Sequence, residues 1–190
     1  SIATSARLGG ADVSRLLGVT VPDGLLDGSS AFDIVFQAGE GVALNITSDL
    51  DGLAVGLPPP FNKAREQSES LDIDLRISDA LSIDATYSNN LSLAIAQDTE
   101  DTWRALASIG EVRPELTLDD VDAGTTVISG RLEELDISAW ADTQARFRSG
   151  GNPGLPTVVW RDFSVDRLAL GETDFGAFSS TGQYEGGLTS

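Results

Sequence analysis

The chain holds one lysine, Lys63, and neither histidine nor cysteine. Ser–His and Cys–His catalysis are therefore excluded, because there is no imidazole or thiolate to carry them. A serine could be activated only through the Lys63 amine, and no serine stands near it in a recognisable motif. Zinc sites built on thiolate or imidazole are excluded for the same reason. Two acidic turns, Ser48–Gly52 and Asp119–Gly124, offer the oxygen ligands that calcium takes. Neither has EF-hand spacing or a closing glutamate, so solvated turns explain them better. Paired carboxylates can cleave glycosides. Thirty acidic residues nominate no pair, however, and Asp72 and Asp74 fall on the polar side of a strand-like segment. Glycine-rich phosphate loops are absent. These residues read as a non-catalytic chain with no metal and no cofactor.

The elements that surround Lys63 carry more information. The 190 residues are 41% hydrophobic and 22% charged, which is a globular composition with room for a core. The net charge of −18 lacks the basic surface that nucleic acid requires, and it opposes docking on anionic headgroups. No apolar run is long enough to cross a membrane as a helix, and no signal peptide is visible. The chain has no methionine, so residue 1 is read as an excision or processing point in a longer chain.

Period-two alternation dominates from residue 31. Phe32, Ile34 and Phe36 share a face, as do Val42, Leu44 and Ile46, with a Gly-Glu-Gly turn at 39–41 between them. After the prolines, Leu71, Ile73, Leu75 and Ile77 face one way, and Asp72, Asp74 and Arg76 the other. Leu81, Ile83, Ala85 and Tyr87 repeat the pattern, then Leu91, Leu93 and Ile95, then Trp103, Ala105, Ala107 and Ile109. Short turn-prone links make this an antiparallel meander. A loop held by Pro114 follows, then a further strand ending near Asp136. A helix of a turn or two is expected from Ser138 as cap, with Trp140, Gln144 and Phe147 on one side. A second short helix is expected near the N-terminus, capped by Asp12, packed through Leu16 and Leu17 and stopped at Gly18. Residues 149–156 have pure loop chemistry, and two more strands are expected beyond them, joined by a turn at Gly171–Thr173. A closed barrel, a sandwich and one long curved sheet all fit this pattern.

The stretch around Pro58, Pro59 and Pro60 is the most distinctive. Prolines cannot donate ladder hydrogen bonds, so they must leave the sheet or run along its edge, here as a stiff crossover between two groups of strands. Lys63 on that crossover is expected to neutralise Asp49 or Asp51, or to meet a phosphate headgroup. Ser48, Asp49, Leu50 and Gly52 form an S-D-L-x-G strand end, and Leu57, Pro58, Pro60 and Lys63 form L-P-x-P-x-x-K. Downstream, Gly130 to Trp140 reads G-x-L-x-x-L-D-I-x-x-W. Together these resemble the YhdP-like branch of the AsmA-like family over residues 20–140. The resemblance implies a large envelope protein of a Gram-negative bacterium, anchored in the inner membrane by a helix outside this stretch and lying mostly in the periplasm. It implies long curved β-sheets with an apolar inner groove, phospholipid transport between inner and outer membranes, and maintenance of the outer-membrane barrier. It carries over no catalytic residues.

The expectation is a mainly β chain: a curved or twisted antiparallel sheet of hairpins with at most two or three short helices and an apolar inner face. Residues 1–148 form the segment resembling the family's middle region, 149–156 a Gly/Pro loop, and 157–190 strands that continue the sheet. The expected partners are phospholipid acyl chains, with other envelope proteins as further candidates and no nucleic acid. The candidate groove lining is Leu71, Ile73, Leu75, Ile77, Ile83, Leu93 and Ile95. The alternative is a structural or adhesive β module that binds protein or glycan partners through its acidic outer face.

Overall fold

Period-two sequences form a sheet here, and nearly every expected strand is present. The computed structural model describes residues 1–17, 21–88, 90–97, 102–110, 116–148 and 157–184. The strands are β1 (Ile2–Gly9), β2 (Leu26–Ala38), β3 (Val42–Ser48), β4 (Leu53–Val55), β5 (Leu71–Ile77), β6 (Leu81–Tyr87), β7 (Leu91–Gln97), β8 (Trp103–Ile109), β9 (Thr125–Asp136), β10 (Thr157–Leu170) and β11 (Thr173–Tyr184). Two helices, α1 (Gly10–Leu17) and α2 (Ile137–Arg148), and a 3-10 turn at Leu118–Asp120 complete the described elements. They make one open sheet in the order β1-β2-β3-β5-β6-β7-β8-β9-β10-β11, with β4 attached to β2.

From β1 to β8 every pairing is antiparallel. The sheet is mixed rather than antiparallel throughout, because β9 runs parallel to both β8 and β10. The reason lies in the connections. Residues 110–124 and 137–156 are each longer than a hairpin needs and long enough to carry the chain back for a parallel return.

The proline stretch is not a crossover between two separated groups of strands. It leaves β3 and returns as β5, which is the antiparallel neighbour of β3. Residues 49–70 are thus an excursion off one end of the sheet. Its strand β4 pairs with Leu26–Gly28, the first residues of β2, before β2 continues between β1 and β3. Gly28 sits at that change with φ +95°, and a Cβ there would press into the Gly52 carbonyl oxygen. Gly130 plays a similar part in β9: its φ is +118° and a side chain would collide with the Ile109 carbonyl.

Two helix expectations are corrected. Helix α2 begins at Ile137, and its cap is Asp136, whose Oδ1 accepts from the Ser138 amide at 2.8 Å. Its inward residues are Trp140 and Thr143, while Gln144 is exposed. In α1, Asp12 acts from inside the first turn, its Oδ2 accepting from the Gly9 amide at 3.1 Å. The stop at Gly18, the packing of the Leu16, Leu17 and Phe147 side chains, Pro114 and the loop 149–156 lie outside the described residues.

The core is three clusters. One joins Phe61, Leu132, Phe163 and Val165, and a second joins Phe32, Leu50 and Leu53. The third, Leu106, Val121 and Val127, lies on the opposite face beneath the connection from β8 to β9. Truncating a core aromatic should therefore cost far more than truncating a strand residue outside these clusters. Phe163→Ala should lose about 3–5 kcal/mol, and Leu75→Ala about 1 kcal/mol, read from urea midpoints. Equal losses would place Leu75 in a closed core.

Candidate functional site

Residues paired across a ladder share a face, so the register fixes which side chains adjoin. Leu75 pairs with Ile83 and Leu44, and Ile83 with Ile95. One row therefore runs Phe36–Leu44–Leu75–Ile83–Ile95–Ala105 over six strands. The next row runs Ile34–Ile46–Ile73–Ala85–Leu93–Ala107. Neither row contains a hydrogen-bonding side chain. All seven candidate lining residues lie on this face, and none is fully buried.

They differ in their surroundings. Ile73, Leu75, Ile83, Leu93 and Ile95 lie within the two rows. Leu71 lies one pair further on and packs against the Phe32–Leu50–Leu53 cluster. Ile77 lies at the other extreme, paired with Leu81 and exposed. Sequence alternation alone missed Leu44, Ile46, Ile34 and Phe36, which continue the same rows. Their alternation was visible, but their alignment with β5 depends on the long excursion, whose path no local pattern encodes.

The excursion walls off the Leu71 end of this face. Phe61 packs beside Tyr87, Leu91 and Ile109, and meets Trp140 of α2 edge-on at 5.8 Å between ring centroids. Burial, and then the nearby Glu69 carboxylate, push the Tyr87 hydroxyl pKa up. Lys63 fixes the wall from behind. It is 2% exposed. Its Nζ donates to the carbonyls of Leu53 at 2.7 Å and Ala64 at 3.1 Å, and its backbone bridges Val55. The expected pairing with Asp49 or Asp51, or with a headgroup, is thereby corrected: this ammonium is buried on carbonyl oxygens. Arg65 adds an ion pair to Asp27 at 2.8 Å.

The acidic turns use their side chains on their own backbone. Ser48 Oγ donates to the Ala31 carbonyl and accepts from the Leu50 amide, and Asp49 Oδ1 accepts from the Asp51 amide. Asp120 accepts from the Thr117 amide and hydroxyl, which holds its carboxyl below the usual range. No group of residues that could hold a metal ion occurs among the described residues. A cleft of about 520 Å³ of mixed polar and apolar lining lies between Pro59–Pro60 and Arg131. Two of its acids are engaged: Arg131 holds Asp166 at 2.8–3.2 Å, and Glu134 pairs with Arg167, while Glu133 also lines the cleft.

What this arrangement offers chemically is apolar contact without hydrogen bonds. Comparison with protein-family models, with curated proteins and with solved structures finds no match.

Lys63→Met keeps most of the side-chain volume and leaves the Leu53 carbonyl without its ammonium. Loss of such charge-assisted bonds should cost about 1.5–3 kcal/mol. It should also raise hydrogen exchange in residues 49–70 before the central strands. Unchanged exchange there would remove Lys63 as the fastener of the wall.

Proposed function

We propose that this chain is a non-catalytic segment of a periplasmic AsmA-like protein of the YhdP-like branch. In that reading it takes part in phospholipid transport between inner and outer membranes and in upkeep of the outer-membrane barrier. Its own contribution is to hold acyl chains against the face of β2, β3 and β5–β8. The observation that carries the reading is the uncovered aliphatic surface. Six strands about 4.8 Å apart, over about four residue rises of 3.3 Å, give a flat area of roughly 400 Å². A contiguous apolar patch of this size matches the largest that a typical monomer exposes, and such patches often serve a function. Acyl chains suit this one because they require only apolar area. No described helix is long and apolar enough to cross a membrane.

The competing reading, a module that binds protein or glycan through the acidic outer face, gives the apolar face no task. Native mass spectrometry of the purified chain, with lipid extraction from the same sample, separates the two. Near-stoichiometric phospholipid is expected. Ile73→Asn and Leu93→Asn should lose it while keeping the far-UV spectrum, because both sites are only half-buried. Lipid-free protein, here and in a longer chain, would leave the module reading standing. Variants that simply unfold would make these positions core.

A further inference from the structure

The uncovered face differs at its two ends. At one end, Leu71, Tyr87 and Leu91 run into the clusters built on Leu50, Leu53 and Phe61. At the other, the hairpin end, large apolar side chains stand in water: Phe36 is 38% exposed, Trp103 44%, Ile77 47% and Ile2 68%. Ile2 pairs with Phe36, and Trp103 and Ile77 each begin or end a strand of the same face. The face therefore has a wall and an open rim.

The distance between them is informative. From Ile77 to Leu71 the strand rises about 20 Å. One leaflet of a bilayer's hydrocarbon core is about 15 Å, half of the usual 30 Å. A chain laid across the strands would instead run from the edge strand β1 into Ile128 and Trp160, which α2 covers through Trp140, with no open rim at that side. The occupant's chemistry is constrained as well. An extended peptide would bring backbone amides to rows with no hydrogen-bonding side chain, at the cost of their water. The turns at the open rim carry the exposed acids Glu40 and Asp79, and the whole chain bears −18. That field opposes an anionic headgroup.

Building on the proposed acyl-binding role, we infer that a zwitterionic phospholipid lies along the strands. Its headgroup sits at the hairpin rim by Phe36, Ile77 and Trp103. Its terminal methyls rest against the wall of Leu50 and Phe61. The hairpin rim is then where lipid enters and leaves, and the excursion sets how far the chains reach.

The three tryptophans report on this directly. Trp103 is at the rim, whereas Trp160 pairs with Ile128 and Trp140 touches Phe61, both toward the wall. Trp103→Phe changes an exposed site, and the wild-type minus variant emission isolates Trp103. The protein is loaded with phosphatidylcholine brominated either near the carboxyl end of its chain or near the terminal methyl. The difference emission should be quenched more by the carboxyl-end label. The emission left in the variant should be quenched more by the methyl-end label. Equal quenching, or the reverse order, overturns the orientation while leaving acyl binding intact. No quenching of any tryptophan, together with a lipid-free native mass spectrum, overturns the orientation and the acyl-binding role together.

Discussion

Phe61 sits where four separate parts of the chain meet. It comes from the excursion after the prolines, its ring meets Trp140 of α2, and it packs on Phe163 and Val165 of β10 and beside Tyr87 of β6. A single sheet cannot bury both of its faces by itself. This contact anchors a second layer at one end and leaves the rest of the face without one. The buried Lys63 serves the same layer. An ammonium out of water needs compensating partners, and the Leu53 and Ala64 carbonyls provide them only when β4 and the segment after the prolines lie together. The hydrogen bonds of Lys63 and the packing of Phe61 therefore stand or fall together.

The outer face follows a different rule. On β3, β5 and β6 it is polar, and Asp74 lies directly opposite Asp84. Like charges so placed repel. Arg76 relieves them, at 3.4 Å from Asp84 and 3.9 Å from Asp74, and the Asn45 amide donates to Asp74 and Asp72. These are exposed pairs and contribute little to stability. Their effect is to keep this side of the sheet in water. From β7 to β10 the outer face turns apolar through Ala94, Leu106, Val127 and Val159, and the segment holding Leu116, Leu118 and Val121 covers it.

Local patterns made much of this legible. β5, β6, β7 and β8 begin and end where the alternation does, because period two holds along each strand and breaks at its ends. β1 escaped notice because Ala3, Ser5, Ala6 and Gly9 give it weak contrast and its partner is β2, far along the chain. The parallel returns around β9 were hidden in a length rather than a motif: residues 110–124 are too many for a hairpin. The candidate lining was readable within each strand, since period two assigns a face. The wall was not, because it depends on where residues 49–70 fold back. Nor was the role of Lys63, whose partners are backbone carbonyls that any sequence supplies.

The two kinds of connection also explain why the face is open where it is. An antiparallel hairpin turns at the end of its strands and leaves both faces free. A parallel return must carry the chain back across the sheet, and it covers what it crosses. From β2 to β8 the links are hairpins, apart from the excursion, which leaves at one end. Around β9 the links are crossovers, one packed on the outer face through Val121 and the other on the inner face through Trp140. Strand polarity thus divides a continuous ladder into strands around β9 covered on both faces and strands β2 to β8 with an uncovered one, while Phe175 and Phe178 of the edge strand β11 stand exposed. Along β3, β5 and β6 the uncovered aliphatic rows are backed by a polar face whose charges are compensated, which keeps that side of the sheet in water.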